Sequence, residues 1–290
     1  MNVLTFDIEE WYLVKTYYGG DVNKYKEYDN YLAEILCNLE KHRLKGTFFC
    51  VGGVAREFPE VVRRIADAGH EIGCHSNVHT WLNKMTPQEC LEDTRAAVDA
   101  LEQCIGQKVK SYRAPAFSIG ESNKWAFEVL AECGIERDAS IFPATRDFGG
   151  FSAFGQKTPT IVRYNGIELK EFPICTTRLL GREVAYSGGG YFRFFPLWFV
   201  KKEMACADYA MTYFHLADFI SQKMLNKEEF EAYFKVKGSL WNRYVRYIKR
   251  NLGVGGAYKK CLRLIRDVPF INIEQAASIV DWKQVPIVEF

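Results

Sequence analysis

Strand and helix signals alternate along the first half of the chain, and this alternation constrains the fold more than any other feature. Each short apolar or β-branched run is followed by a longer segment whose apolar residues recur at the spacing of an amphipathic helix. The predicted strands cover residues 3–6, 46–51, 71–74 and 109–112, and the predicted helices cover residues 31–42, 54–68, 86–105 and 123–133. This order predicts a parallel sheet of the α/β class.

Polar residues stand at the ends of three of these predicted strands. Asp7 and Glu9 follow the first strand, His75 and His79 follow the third, and Arg113 follows the fourth. The carboxyl ends of parallel strands meet at one rim of a barrel, where barrel enzymes build their active sites. We therefore expect these side chains to lie close together.

The residue types at this rim suit a metal-dependent hydrolase. Two imidazoles four positions apart on a helix or tight turn, such as His75 and His79, point the same way and can reach one ion. A strand-like step places Glu9 on the same side as Asp7. Carboxylates and imidazoles are ligands of divalent metals, and hydrolysis needs a separate acid–base pair. The alternative interpretation is a set of unrelated surface histidines and solvated turn carboxylates, including Glu10.

In order and spacing these motifs resemble those of the polysaccharide deacetylase superfamily, carbohydrate esterase family 4, which has the NodB-like homology domain. The matching segments are Asp7-Ile8-Glu9-Glu10, Gly69-His70-Glu71-Ile72-Gly73-Cys74-His75 with His79, Arg113-Ala114-Pro115, and His215. The resemblance covers about residues 3–220. It implies an α/β fold in the form of a distorted, incomplete (β/α) barrel.

The resemblance also implies a metal site. Many family members carry two adjacent aspartates, of which the first is the general base and the second is a metal ligand. This chain departs from that pattern, because Ile8 follows Asp7. Asp7 is then the predicted base, and Glu9 is the predicted third ligand beside His75 and His79. The predicted cofactor is a divalent ion, most simply zinc.

The other family motifs imply the remaining catalytic groups. Arg113 is predicted to orient Asp7, and the backbone N–H of Ala116 is predicted to bind the oxyanion. His215 lies in a β-rich run, and the resemblance makes it the acid that protonates the departing amine. Asp138 is predicted to pair with a catalytic imidazole or arginine and to shift the pKa of that group.

The resemblance makes the chain a carbohydrate N-deacetylase, a hydrolase that removes N-acetyl groups from an amino sugar, a polysaccharide or a glycan precursor. A second interpretation is an amide or cyclic imide hydrolase that acts on a small nitrogenous substrate without metal, because the paired aspartates are missing. A third interpretation is a non-catalytic sugar-binding module. The presence of every catalytic residue type argues against this third interpretation.

A glycine-rich segment, Ser187–Arg193, fits neither a phosphate-binding loop nor a dinucleotide-binding motif. Similar segments occur in an exopolysaccharide-biosynthesis subgroup of these deacetylases. The segment is interpreted either as a loop that approaches a sugar closely or as a tight turn.

Composition limits the partners and the cellular location that can be expected of the chain. The net charge of +2 gives no global attraction for nucleic acid, so no nucleic-acid partner is expected. The first residues lack the pattern of a signal peptide, and no apolar run is long enough for a transmembrane helix. Nine irregularly spaced cysteines indicate buried free thiols in a reducing compartment, so a cytoplasmic location is predicted.

The end of the chain is basic. Residues 235–266 hold ten Lys or Arg and no acidic residue, and their apolar residues have the spacing of an amphipathic helix. Such a helix suits peripheral contact with an anionic membrane, a lipid-linked sugar, or simply a solvated face. No internal linker is evident, so residues 1–290 are predicted to form a single catalytic domain with a basic helical extension at about 221–290. The sequence leaves open whether the chain forms a homo-oligomer.

Overall fold

The protein is described by a computed structural model over residues 1–17, 20–146, 149–234 and 236–290. Its β-strands are short, and β2, β3, β5 and β11 are buried along their whole length. They are β1 Asn2–Val3, β2 Thr5–Ile8, β3 Thr47–Cys50, β4 Glu71–Cys74, β5 Ser111–Tyr112, β6 Arg137–Asp138, β7 Thr160–Tyr164, β8 Ile167–Glu171, β9 Thr176–Leu179, β10 Arg182–Ala185, β11 Ala210–Met211, β12 Phe214–His215 and β13 Ile287–Glu289.

Helices follow most of the parallel strands. They are α1 Glu10–Tyr17, α2 Val22–Lys41, α3 Gly52–Glu57, α4 Pro59–Asp67, α5 Pro87–Ile105, α6 Ala126–Glu132, α7 Gly189–Phe194, α8 Leu197–Cys206, α9 Lys227–Phe234, α10 Leu240–Asn251, α11 Val254–Asp267 and α12 Ile273–Ile279. Thr86 caps α5 in a reciprocal capping box with Glu89, and Pro87 occupies the first helical position. This is the helix start that the sequence predicted.

The main sheet has the strand order β12-β2-β3-β4-β5-β6-β8-β7-β13. Its neighbours are parallel except for the β7–β8 hairpin. β1 and β11 continue the β2 and β12 pairing as a separate two-stranded parallel ladder. The predicted α/β fold, a distorted and incomplete (β/α) barrel, is confirmed. Within the described residues the ends of the sheet, β12 and β13, do not pair with each other, so the barrel stays open.

Side chains alternate between the two faces of the sheet, as the period of a strand requires. Phe6 and Phe48 point outward into the core beneath the helices, where their rings stack with centroids 5.0 Å apart. Asp7 and Phe49 point into the barrel, and Arg113 reaches them from the end of β5 with its guanidinium 4.3 Å from the Phe49 ring. The alternation therefore places the polar residues at the ends of the strands inside the barrel.

The basic C-terminal segment differs from the prediction of one amphipathic helix over residues 235–266. It forms two helices, α10 and α11, separated at Gly253, which has a positive φ of 75°. A side chain at Gly253 would also collide with the Arg193 backbone. The chain then returns to the sheet, where Leu4 donates a hydrogen bond to the Ile271 carbonyl and β13 pairs with β7.

The predicted division of the chain into one domain and an extension stays a prediction.

All nine cysteines are free thiols. The expectation that they are buried is wrong for Cys37 and Cys206, which are exposed, and Cys104 and Cys133 are half-buried.

In the described part of the chain, no helix combines the length and the apolar character needed to cross a membrane.

Candidate active site

Glu9, His75 and His79 form a compact set of metal-ligating side chains. Their candidate ligand atoms all lie within 4.8 Å of one another, and all three residues are buried. One carboxylate oxygen of Glu9 lies 2.6 Å from Nε2 of His79 and 3.5 Å from Nε2 of His75. Two imidazole nitrogens and a carboxylate oxygen are a common protein ligand set of a catalytic zinc ion. The donor set therefore fits a divalent ion of this kind.

The orientation of His75 is fixed by a hydrogen bond behind it. Its Nδ1 lies 2.7 Å from the Arg113 carbonyl oxygen, which only accepts, so Nδ1 carries the proton. The lone pair is then on Nε2, the atom that faces Glu9. This is the arrangement in which a second hydrogen bond sets the tautomer of a metal-binding histidine.

The segment from His75 to His79 is a strained loop and not a helix. Ser76 and His79 both have positive φ values, 61° and 59°, which non-glycine residues rarely adopt. The loop is held by hydrogen bonds from the His79 amide to the Ser76 hydroxyl and from the Asn77 amide to Asp93. The two imidazoles converge because this backbone folds back on itself. Of the helix or tight turn that the spacing allowed, the structure has the tight turn, and the predicted convergence of the two imidazoles is confirmed.

Burial opposes ionisation of Glu9, but the imidazoles of His79, His215 and His75 outweigh it and hold its pKa well below the usual range. Glu9 is thus a carboxylate that is ready to ligate a cation.

Glu10 is not a solvated turn carboxylate. It is only 2% exposed, and its Oε1 accepts a hydrogen bond from the Ala217 amide at 2.9 Å. Burial and the neighbouring charge of Glu9 raise the pKa of Glu10 to about 7. Glu10 therefore joins the start of α1 to the segment after β12 and does not belong to the ligand set.

Asp7 is held by Arg113. Nη1 of Arg113 donates to Asp7 Oδ1 at 2.7 Å and also to the Thr5 hydroxyl at 2.7 Å, while Nε donates to the Ala139 carbonyl. Arg113 is fully buried, so the pair is strongly coupled and Asp7 stays aligned. The other oxygen of Asp7 is 3.5 Å from Nε2 of His215.

His215 belongs to a chain of charges that sequence reasoning missed. Its Nδ1 and its amide both lie within hydrogen-bonding reach of Oδ2 of Asp218, at 3.3 and 3.0 Å, and Arg193 binds the other oxygen of Asp218. Burial opposes a charged imidazole, but the carboxylates of Glu9, Asp218 and Asp7 outweigh it and raise the pKa of His215 to about 10. The one sequence signal for Asp218 is its position three residues after the histidine.

The predicted pairing of Asp138 with a catalytic imidazole or arginine is wrong. Asp138 lies at the end of β6 in register with Glu171, and its Oδ1 accepts a hydrogen bond from Ser140. The Ser140 hydroxyl in turn accepts from the Ala114 amide at 2.8 Å. Asp138 therefore supports the backbone of the Arg113-Ala114-Pro115 segment through Ser140. The guanidinium of Arg113 instead binds Asp7, the Thr5 hydroxyl, the Ala139 carbonyl and the Met211 sulfur.

A cleft of about 190 Å³ opens over Asp7, His215 and Asp218. Its lining includes Asp7, His215 and Asp218 from the charged network, Ala116 from the proline segment, and Gly189 and Tyr191 from the glycine-rich segment. Ala116 and Phe117 both have left-handed backbones, with φ of 55° and 54°. Strain of this kind collects at functional sites and persists where the surrounding structure holds it.

The glycine-rich segment is packed closely against the site. A Cβ at Gly188 would lie 2.2 Å from the Tyr213 carbonyl oxygen, so only glycine fits there. Gly189, with φ of 53°, begins α7 directly beside the cleft. Packing against Tyr213 accounts for the glycine at position 188, and a close approach of this segment to a sugar stays a prediction.

Comparison with known proteins agrees with this fold. Residues 3–137 match the sequence model of the polysaccharide deacetylase family, and residues 139–278 match a domain of unknown function, DUF3473. The boundary between the two matches falls at β6, inside one continuous sheet. Residues 3–137 therefore carry the sequence pattern of the polysaccharide deacetylase superfamily.

Several curated relatives align with about a third of the chain. A peptidoglycan-N-acetylglucosamine deacetylase of Bacillus cereus is 36% identical over 99 residues, which are 34% of this chain and 36% of that protein. A chitooligosaccharide deacetylase of Bradyrhizobium is 29% identical over 98 residues, 34% of this chain and 42% of that protein. The aligned region thus spans well under half the length of either relative.

Solved structures share the fold over nearly the whole chain. The structure of a Mycobacterium smegmatis protein described as a polysaccharide deacetylase has a TM-score of 0.63 at 18% identity and covers 98% of this chain and 91% of its own. A family 4 pseudoenzyme from Bacillus anthracis has a TM-score of 0.50 at 13% identity, covering 95% of this chain and 64% of its own. At these identities the likeness shows the fold alone.

Proposed function

We propose that the protein is a metal-dependent hydrolase that removes N-acetyl groups from an amino sugar of a glycan or glycan precursor. The observation that carries this proposal is the convergence of Glu9, His75 and His79 within 4.8 Å, next to the Asp7–Arg113 pair. Such a ligand set with an adjacent base is what metal-dependent amide hydrolysis requires. The match of residues 3–137 to the polysaccharide deacetylase family supports the same reaction class.

Zinc is the ion that we propose for the ligand set, since two imidazoles and one carboxylate suit it. When bound, the ion would polarise the acetamide carbonyl and make water more acidic. The departure from adjacent aspartates is accommodated by the longer side chain of Glu9. That residue reaches the imidazoles from the end of β2, whereas Asp7 turns into the barrel toward Arg113.

Asp7 is the proposed general base. Arg113 holds one of its oxygens, which leaves the other for the proton of the attacking water. Because Arg113 is fixed by Thr5 and Ala139 as well, it cannot follow the carboxylate if that moves. Asp7 is therefore positioned before substrate arrives.

His215 is the proposed general acid. The surrounding carboxylates keep its imidazole protonated at neutral pH, so it can donate a proton to the departing amine. The backbone N–H of Ala116, in the strained segment that lines the cleft, is the proposed donor to the oxyanion. The products are acetate and a free amino sugar.

The amide or imide hydrolase without metal is the second candidate. The strongest argument against it is the ligand set itself, because three buried ligand atoms within 4.8 Å are not needed by a metal-free mechanism. A non-catalytic module is the third candidate. It is disfavoured because the base, the acid and both histidines are present and mutually oriented, although a structural neighbour of this fold is a pseudoenzyme.

The proposal is tested by measuring the metal content of protein purified without chelator, followed by acetate release from a panel of N-acetylated sugars. We expect about one equivalent of metal per chain, loss of activity on chelation and recovery on adding zinc. The matched control is Asp7→Asn, which should hold metal without releasing acetate. Turnover that is unaffected by chelation would contradict the metal-dependent mechanism and favour the second candidate.

We also propose a cytoplasmic location, which the nine unpaired thiols support.

A further inference from the structure

Two buried carboxyl groups lie side by side on neighbouring strands of the main sheet. Asp138 on β6 and Glu171 on β8 are partners in the register of the two parallel strands, and neither residue is exposed to solvent. Register partners on adjacent strands point to the same side of a sheet, and such strands are about 4.8 Å apart. The two carboxyl groups therefore meet in a place that water does not reach.

Each carboxyl group has one oxygen that is bound by an ordinary donor. Oδ1 of Asp138 accepts a hydrogen bond from the Ser140 hydroxyl, and Oε1 of Glu171 accepts one from the Ile141 amide at 3.1 Å. The other two oxygens, Asp138 Oδ2 and Glu171 Oε2, are buried and have no such donor among the described residues. The two side chains are nonetheless hydrogen-bonded to each other. Because an ionised carboxylate only accepts, this bond requires one proton between Oδ2 and Oε2.

Glu171 is the partner that carries this proton. Burial raises the pKa of both carboxyl groups, and the negative charge of Asp138 raises that of Glu171 further, well above its usual range. Two adjacent carboxylates withdrawn from water repel each other, so one shared proton is the stable state. Asp138 then stays an anion that accepts from both Ser140 and Glu171.

The other charged or titratable groups that face the pair do not replace this proton. Arg113 attracts the carboxylate of Glu171, but its guanidinium is already bound to Asp7. Burial raises the pKa values of Tyr112 and Tyr209 well above the usual range, so both phenols stay neutral.

A short chain of hydrogen bonds joins the pair to the cleft. The Ser140 hydroxyl donates to Asp138 and accepts from the Ala114 amide at 2.8 Å. The rigid ring of Pro115 follows Ala114, and Ala116 comes next with its left-handed backbone, at φ of 55°. A displacement of Ala114 is therefore passed on to the Ala116 N–H, because the backbone between them has few free rotations.

We propose that Glu171 is a positioning residue, which in its protonated form holds Asp138 and through it the backbone that carries the Ala116 N–H. This inference rests on the proposed function, in which that N–H binds the oxyanion. Glu171 is not part of the lining of the cleft, so it acts through other residues. The oxyanion develops only on the way to the transition state. Loss of Glu171 should therefore lower kcat and leave KM nearly unchanged.

The shared proton is tested without an activity assay. The infrared difference spectrum of wild type and Glu171→Gln at pH 7 should show the C=O stretch of a protonated carboxyl group in wild type only. Above the unfolded pKa of about 4.3, the folded chain keeps a proton that the unfolded chain has lost, so wild-type stability falls as pH rises. Glutamine is not subject to this loss.

The denaturation midpoint of Glu171→Gln should therefore rise relative to that of wild type between about pH 5 and about pH 8. The shared proton is overturned by a missing infrared band or by a midpoint difference that does not change with pH.

The positioning role is tested by comparing Glu171→Gln with Glu171→Met. The two side chains are similar in length, but only glutamine can donate to Asp138 and accept from Ile141. We expect the glutamine variant to keep kcat within about threefold of wild type, and the methionine variant to lose about tenfold or more in kcat at nearly unchanged KM. The metal content of both variants should equal that of wild type.

Ser140→Ala breaks the same chain nearer to Ala114 and should lower kcat in the same way. This variant decides the matter if a thermal melt shows that Glu171→Met is not folded. The inference is overturned if folded Glu171→Met or Ser140→Ala keeps the wild-type kcat, or if Glu171→Gln loses as much activity as they do.

Failure of the proposed function is a separate outcome, in which the wild type releases no acetate from any sugar. The positioning role is then decided by hydrogen exchange of the Ala114 amide, measured by NMR. Exchange should be faster in Glu171→Met than in wild type and unchanged in Glu171→Gln. Equal exchange rates in all three proteins overturn the inference.

Discussion

Arg113 donates a 2.7 Å hydrogen bond from Nη1 to Oδ1 of Asp7, and both side chains are buried inside the barrel. The two residues are separated by 106 positions in the chain, and Arg113 crosses the barrel from β5 to meet the end of β2. A buried ion pair of this kind is costly to break, because the remaining partner is left charged in a poorly solvated place.

Arg113→Gln should therefore lower the free energy of unfolding by about 3–5 kcal/mol, the usual cost of leaving a buried partner unpaired. The measurement is chemical denaturation at pH 7. Adding Asp7→Asn to Arg113→Gln should recover part of that loss, since it neutralises the stranded carboxylate. A double variant less stable than the sum of the two single effects would contradict the coupling.

Asp7→Asn should lower the rate of acetate release by about 10²–10⁴-fold, because the substitution keeps the size of the side chain and removes the proton acceptor. Metal content, measured by mass spectrometry, should stay at the wild-type level, since Asp7 is outside the ligand set. Wild-type turnover by this variant would mean that another carboxylate is the base.

Glu9→Gln should weaken metal affinity, with activity partly restored by excess zinc, because the carboxylate oxygen next to both imidazoles is lost. Glu10→Gln is the matched control, since its carboxylate faces the Ala217 amide and not the imidazoles. The two zinc dissociation constants are compared by competition with a chromogenic chelator. Equal affinity in the two variants would remove Glu9 from the ligand set.

Asp218→Asn should move the alkaline limb of the activity profile to lower pH. The carboxylate of Asp218 helps to raise the pKa of His215, and the proposed general acid is active only while protonated. Activity is thus lost as pH rises through the pKa of His215, and a lower pKa brings that loss earlier. The check is kcat as a function of pH in wild type and variant, and an unchanged limb would separate Asp218 from the acid.

His70→Gln should make the protein less sensitive to acid. Burial, together with Lys45, lowers the pKa of His70 from 6.5 to about 4, and its Nδ1 accepts a hydrogen bond from the Gly46 amide. Between those two pH values the unfolded chain binds a proton that the folded chain does not, so stability falls as pH falls, by about 3 kcal/mol in all. Denaturation midpoints from pH 6.5 to pH 4 should decline less steeply in the variant. Parallel slopes would contradict the assignment.

In the first half of the chain, the sequence by itself determined the alternation of strands and helices and the polar residues that follow three of the strands. These features depend on interactions a few residues apart, such as the apolar spacing of α5 and the capping box of Thr86 and Glu89. It also determined which side chains share a rim, because parallel strands place their carboxyl ends together. Hence Asp7, His75 and Arg113 could be assigned to one site from the sequence alone.

Tertiary structure alone decided which groups pair. Arg193 and Asp218 meet His215, Asp138 supports Ala114 through Ser140, and β13 joins β7 from the far end of the chain. It also decided that Arg246 and Arg250 of α10 line a cavity together with Arg193, while the apolar side of the helix stays exposed. Amphipathic spacing predicts that a helix has two faces, but which face turns inward depends on the surfaces that it meets. Those surfaces come from segments tens to hundreds of residues away, so no local pattern encodes them.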